Sequence, residues 1–241
     1  MKSLKLIIPV ALILVASFTS CKKNLFNSIK GKGATVTEVR DLTGFNKISL
    51  SIDGDVNYVQ DSVYFVEISA QQNVLDVITT EISGGELKIG ADRWIRKHNG
   101  IKIIVHSPDL HGMTLSGSGN MESSSDILTP DLELNVSGSG NITLASVHTD
   151  QLEVTISGSG NIQVSGGAAT NQKANISGSG NVEMDDLTAN ESDAKISGSG
   201  SVSVWSVNHL KATISGSGDI KYKGNPIVDA NISGSGSVIH I

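Results

Sequence analysis

The sequence predicts an all-β fold, a single-chain parallel β-solenoid (β-helix) with coils of about 18–21 residues. Three observations predict it. One phrase recurs seven times: an aliphatic residue, Ser-Gly-Ser-Gly, a small polar residue, then another aliphatic. Its copies open at Ser116, Ser137, Ser157, Ser177, Ser197, Ser215 and Ser233, so the steps are 21, 20, 20, 20, 18 and 18 residues. A fixed period near twenty marks stacked units that bury their apolar faces only against their neighbours.

The second observation is what aligning the copies reveals. The residue before the first serine is always large and aliphatic: Leu115, Val136, Ile156, Ile176, Ile196, Ile214, Ile232. Two positions earlier stand Met113, Leu134, Val154 and then alanines at 174, 194, 212 and 230. After the phrase come Met121, Ile142, Ile162, Val182, Val202, Ile220 and Val238. Alternate residues of a strand share a face, so these three columns point inward. The shrinking second column and the shorter steps both predict a core that narrows toward the C-terminus.

The third observation concerns the outward positions. Four residues before the serine lie Glu133, Glu153, Lys173, Asp193, Lys211 and Asp229. Equivalent residues of neighbouring coils sit about 4.8 Å apart, so Lys173 falls between Glu153 and Asp193, and only Glu133 and Glu153 meet as like charges. After the phrase runs a polar ladder of Asn120, Asn141, Asn161, Asn181, Ser201, Asp219 and Ser237. Stacked amides can bond along such a column. The Ser-Gly-Ser-Gly segment itself allows two structures. Its glycines either supply positive φ at a corner or occupy inward positions of a bent strand, with Ser157, Ser159 and Asn161 facing out.

In chain order, Lys2 and Lys5 precede an apolar run from Leu6 to Ala16, and Ser17-Phe18-Thr19-Ser20-Cys21 follows. A short positive flank, a short apolar core and small residues before the cut read as a secretory signal over residues 1–20, too short to span a bilayer well. The Phe-Thr-Ser-Cys ending resembles a bacterial lipobox, in which Cys21 becomes the lipidated first residue. It is the only cysteine, so no internal disulfide or cysteine-built zinc site exists. Residues 21–40 read as the lipidated cysteine and a flexible tether, and residues 41–241 as the solenoid. Within it, residues 41–112 form irregular coils and residues 113–241 the regular repeats. Ile82-Ser83-Gly84-Gly85-Glu86-Leu87-Lys88-Ile89 reads as a degenerate copy of the phrase. Arg93, Trp94, Arg96, Lys97 and His98 interrupt the pattern as a basic, aromatic loop. It is a candidate contact for an acidic glycan or a lipid head group, or else a covered core edge with solvated charges.

The net charge of −6 becomes −8 once Lys2 and Lys5 leave with the leader, and no basic stripe runs through the repeats. Nucleic acid is not an expected partner. The phrase lacks the lysine and helix of a phosphate loop and the Gly-x-Ser-x-Gly of a nucleophile elbow. Aspartates are too sparse in the turns for repeat-bound calcium, with only Asp219 and the Asp53–Asn57 segment approaching that pattern, and the six histidines form no zinc pair. No catalytic residue, metal or cofactor is expected. Carboxylates on adjacent coils could serve a polysaccharide-active enzyme; Glu133 and Glu153, with Asp185 and Asp186, are the candidates.

The lipobox, the Phe45-x-x-Ile48-x-Leu50 opening, the Ile82-Ser83-Gly84-Gly85 stretch and the repeated Ser-Gly-Ser-Gly-Asn-Ile resemble the auto-transporter adhesin family with a head GIN domain, over about residues 41–241. The resemblance implies a β-helical secreted or surface domain and carries over no catalytic residue. Three readings of function follow. The chain is an outer-membrane lipoprotein whose non-catalytic solenoid binds or scaffolds as an adhesin, with a glycan or protein ligand; or a polysaccharide-active enzyme; or a periplasm-facing structural lipoprotein. Partners are the membrane, through a lipid at Cys21, and a second copy through the C-terminal end. Lys22 and Lys23, in place of acidic residues after the cysteine, leave both the cell surface and the periplasm open.

Overall fold

Why the repeats make coils is visible in the register of the computed structural model, which describes residues 28–241. The leader, Cys21 and residues 22–27 lie outside the described residues. One parallel stack joins Lys47–Leu50, Gly112–Leu115 and Asp131–Val136. It continues through residues 151–156, 171–176, 191–196, 209–214 and 227–232. A second joins Lys102–Ser107 and Asp55–Gln60 with the segments opening at Asn120, Asn141, Asn161, Asn181, Ser201, Ile220 and Val238. A third, shorter stack runs through residues 126–128, 146–149, 167–169, 188–189 and 205–206. Each turn of the chain visits the three in order. The expected β-solenoid is what the chain forms, and Glu133 pairs with Glu153, and Ile156 with Ile176, as the alignment requires.

The three apolar columns fill the interior. Leu115, Val136, Ile156, Ile176, Ile196 and Ile214 are buried, as are Met113, Leu134, Val154 and the alanines at 174, 194 and 212. The last coil differs: every residue of Ile227–Gly234 is exposed, Ile227 by 75% and Ile232 by 44%. The shortening from 20 to 18 residues has a definite place. Met184 and Thr188 pair with the adjacent Val204 and Trp205, so the three residues Asp185-Asp186-Leu187 have no counterpart in the next coil, and one residue is regained where Asn190 alone faces Val207 and Asn208. Lys223 then bridges Asp185 at 2.9 Å and Asp186 at 3.1 Å.

At the Ser-Gly-Ser-Gly segments the chain bends without losing its alternation. In the copy from Ile156, Ser157 and Ser159 are exposed, Gly158 is half-buried and Gly160 buried, and Ile162 returns to the core. The glycines are thus the inward positions of a bent strand, and in the four C-terminal copies the first of them also takes positive φ, 145° at Gly178, 149° at Gly198, 142° at Gly216 and 137° at Gly234. Hydrogen bonds continue through the bend: Ser159 and Gly160 N–H both donate to the Gly138 carbonyl, at 3.0 and 3.1 Å. Glycine is required by close approach. A Cβ on Gly160 would fall against the Gly140 carbonyl oxygen and 2.7 Å from Val136 Cγ1, well inside van der Waals contact.

The first half departs from its expected weak repetition in two ways. Ile78–Ser83 and Glu86–Ala91 form an antiparallel hairpin, closed by Gly84 and Gly85 at φ 62° and 78°. Two successive positive φ values make the tight turn that matches strand twist, so Ser83-Gly84-Gly85 is a hairpin turn and not a degenerate repeat. Leu87 and Ile89, beyond it, do enter the solenoid by pairing in parallel with Ile48 and Leu50. The expected tether is also shorter than residues 21–40. Ser28–Lys30 pairs in parallel with Trp94–Lys97, and Thr35–Arg40 pairs antiparallel with Phe65–Gln71. The run Thr35-Val36-Thr37 is rich in β-branched residues, whose strand preference outweighs the neighbouring Gly31 and Gly33. Arg40 Nη1 secures the segment by donating to the Ile78 carbonyl and Thr80 Oγ1, both at 3.0 Å. Among the described residues no helix is long and apolar enough to cross a membrane.

Two predictions follow from the core. Gly160→Ala is expected to lower stability by about 3 kcal/mol or more, because backbone must move to relieve the overlap; the neighbouring Ser159→Ala should change it by less than about 0.5 kcal/mol. Denaturant unfolding of both variants checks this. Tyr58 is fully buried and bonds Ser107 Oγ at 3.2 Å, and burial pushes its phenol up from 10.0 to about 12. The folded state therefore holds a proton that the unfolded chain loses near pH 10. This contribution is whole below pH 10 and disappears between pH 10 and 12, amounting to about 3 kcal/mol at most. Unfolding across that range should show a pH-dependent component in the parent that Tyr58→Phe lacks.

Candidate binding surfaces

The polar ladder is a chain of hydrogen bonds running along the second stack. Asn120 Nδ2 donates to Asp55 Oδ1 at 2.8 Å, Asn141 to Asn120 at 3.0 Å, Asn161 to Asn141 at 2.9 Å and Asn181 to Asn161 at 3.0 Å. Ser201 N–H ends this run on Asn181 Oδ1 at 3.1 Å, and Ser237 N–H donates to Asp219 Oδ1 at 2.9 Å. Each amide oxygen and one amide hydrogen are thereby used within the stack. Asp55 starts the ladder, which sequence reasoning missed; its alignment in front of Val56, as Asn120 stands before Met121, was the available signal.

The serines of the phrase behave oppositely. All fourteen, from Ser116 to Ser235, are exposed, and among the described residues their hydroxyls have no partner within the chain. Strand alternation puts both serines of each copy on the outer face, and parallel stacking repeats them once per coil. The outcome is two rows of free hydroxyls along the bend, with a coil spacing of about 4.8 Å.

The charged column on the first stack is a ladder of ion pairs. Lys173 Nζ lies 2.7 Å from Glu153, and Lys211 Nζ 3.4 Å from Asp193. Hydrogen bonding to Glu153, with the carboxylate's charge, raises the Lys173 pKa. Lys47 reaches across Gly112 to Glu133 at 3.5 Å, a pairing visible only once Lys47-Ile48-Ser49-Leu50 is aligned with Glu133-Leu134-Asn135-Val136. Each carboxylate proposed for polysaccharide chemistry therefore faces a cation: Glu133 and Glu153 in this column, Asp185 and Asp186 on Lys223. Among the described residues no cluster of three or more His, Cys, Asp or Glu converges as metal ligands would.

The basic, aromatic loop is the strand Trp94–Lys97 and its flanks. Trp94 is 66% exposed, and Arg93, Arg96 and Lys97 are exposed as well, while Ile95 packs against the core. His98 stands apart: its Nδ1 accepts the Gly100 N–H at 3.1 Å and its Nε2 lies 3.4 Å from Asp53 Oδ2. It fixes the loop end, and only the other four residues are presented outward. With Ser51, Asp53, Ser116 and Ser139 the loop bounds an open groove of about 740 Å³ at the start of the serine rows.

This geometry belongs to a class, the acidic β-solenoid with a regular polar edge and one basic aromatic end. Residues 44–226 match the family described as "Putative auto-transporter adhesin, head GIN domain", and the chain belongs to that family. A crystal structure of a "putative adhesin" from Bacteroides fragilis NCTC 9343 superposes with a TM-score of 0.83 at 26% identity, covering 88% of this chain and 100% of that one. A "putative lipid binding protein" from Parabacteroides distasonis ATCC 8503 gives 0.73 at 26% identity, with 89% and 100% covered. A "putative adhesin" from Parabacteroides merdae ATCC 43184 gives 0.72 at 25%, with 89% and 99% covered. No curated protein matches the chain.

The amide ladder has a measurable weight. Asn161→Ala removes the bonds to both neighbouring amides and should cost about 1 kcal/mol, whereas Asn161→Gln, too long for the column, should recover none of it. Thermal unfolding of the two variants beside the parent decides this.

Proposed function

We propose that the protein is a cell-envelope lipoprotein whose solenoid is a non-catalytic, adhesin-like binding module. The observation that carries this reading is the pair of serine rows. Fourteen exposed hydroxyls with no internal partner form a rigid, periodic surface able to donate and accept hydrogen bonds to an extended ligand. The family's description and its solved relatives, described as adhesins or as lipid-binding and not as enzymes, accord with it. The rows carry no aromatic platform of the kind glycan binders present, and this favours a protein ligand over a sugar. In this reading the lipid sits on Cys21 at the outer membrane. The exposed apolar residues of the last coil, Ile227, Ile232 and Ile239, offer a pairing surface for a second copy.

The reading is tested in cells. Cys21→Ala should abolish incorporation of labelled fatty acid and release the protein from the membrane fraction. Protease added to intact cells should remove the solenoid epitope; protection there, with cleavage only after the outer membrane is opened, would exclude a surface adhesin. Ser157→Lys with Ser177→Lys and Ser197→Lys should abolish attachment of expressing cells to protein-coated surfaces while leaving the fold intact by circular dichroism. Attachment unchanged by the triple variant would remove the serine rows as the binding face.

A further inference from the structure

The geometry points to a second surface at the N-terminal end of the solenoid, adjoining the start of the serine rows: a membrane-docking patch that takes anionic phospholipid head groups. It rests on the lipid-anchor reading above for its proximity to the bilayer, and on its own residues for its chemistry.

The patch is built by the strap that leads into the fold. Ser28 lies opposite Trp94 and Ile29 opposite Ile95, after which two residues, Arg96 and Lys97, face the single Lys30. Such a bulge re-aims side chains at a strand edge. The strap is tied down by amides of the body. Asn73 Oδ1 accepts the Lys32 N–H and Asn73 Nδ2 donates to the Lys30 carbonyl, both at 2.8 Å. Gln71, itself buried, accepts the Asn99 N–H at 3.1 Å and donates to the Gly33 carbonyl at 3.3 Å. Lys30, Lys32 and Arg96 then line one open hollow of about 370 Å³ with Asn73, and Trp94 stands exposed beside them.

Charge sets this end apart. Lys30, Lys32, Arg93, Arg96 and Lys97 are all exposed, and none forms an ion pair among the described residues. Residues 1–27 contain no Asp or Glu, and Lys22 and Lys23 precede the strap in the sequence. Five of the eighteen Lys and Arg of an otherwise acidic chain are therefore gathered on one strap and on its partner strand with that strand's flank. Cationic side chains without carboxylate partners, around an exposed indole, match the layering of a membrane surface: phosphates outside, then the interfacial zone that tryptophan favours.

Reach completes the argument. Seven residue steps separate Cys21 from Ser28, so the extended chain spans at most about 25 Å. Ser28 pairs with Trp94, so a lipid on Cys21 keeps the patch within that distance of the bilayer. Within that reach, Lys and Arg side chains at an anionic surface add their own attraction to the anchor. The solenoid would then stand on its strap end, with the serine rows free to face away.

The test uses the full chain purified from membranes and reconstituted into vesicles, in a Trp205→Phe background so that Trp94 is the sole indole. Acyl chains brominated near the head group quench an indole in contact with them. In phosphatidylglycerol vesicles Trp94 fluorescence should fall by more than half, and in phosphatidylcholine vesicles far less. Lys30→Glu with Arg96→Glu should restore the emission while the protein still floats with the vesicles and keeps its circular dichroism. Absent quenching in a floating protein, or equal quenching in both lipids, overturns the patch and leaves the anchor standing. Failure of the parent to float overturns both.

Discussion

The structure depends on how closely one coil can approach the next at its bend. There the Gly138 carbonyl accepts two N–H groups from the following coil, and no inward side chain intervenes. Were a Cβ present, the backbones would separate and the hydrogen bonds of both flanking stacks would lengthen with them. Held close, the bend keeps the two stacks in one register, and the other features inherit it. The apolar columns interlock, the amides meet at bonding distance, and lysines find carboxylates one coil away. A side chain bound for the core and one bound for solvent are placed by the same constraint.

That constraint explains what could be read from the sequence. The repeated coils were legible because each residue's environment is made by its own equivalents, so aligning the copies amounted to aligning space. The burial of Ile156 and the outward amide of Asn161 needed no further information. What was not legible lies where the chain meets itself in other ways. Ser83-Gly84-Gly85 has the composition of the phrase, but its two glycines take consecutive φ values of 62° and 78° and turn the chain back, a difference of conformation that letters alone do not separate. The strap at Ser28–Lys30 finds its partner 66 residues later at Trp94–Lys97, and no periodicity announces such a pairing. Lys47 was hidden by Gly112, whose missing side chain lets the lysine pass to Glu133.

The two polar surfaces along the coils illustrate how stacking decides availability. The asparagines and the serines recur with the same period and are both small and hydrophilic. An amide carries a donor and an acceptor on one rigid planar group, so stacked asparagines satisfy one another and become part of the scaffold. The serine hydroxyls find no partner in the chain and remain open to whatever arrives. The distinction is geometric, and it separates residues that hold the solenoid together from residues it displays.

The unpaired Asp185-Asp186-Leu187 shows where a coil can change length. The adjustment falls in the connections on either side of the third stack, three residues dropped before it and one added after it, while the bend and its flanking strands keep their count. A whole coil can therefore be gained or lost by the gene without disturbing any column, and a short insertion is tolerated at these two corners. Elsewhere a single-codon insertion would turn every inward side chain of a strand outward. Tandem duplication is thus the natural route by which such a rod acquires a new reach, and the near-identical phrases from Ile156 to Ile196 are the kind of sequence that recombination lengthens or trims.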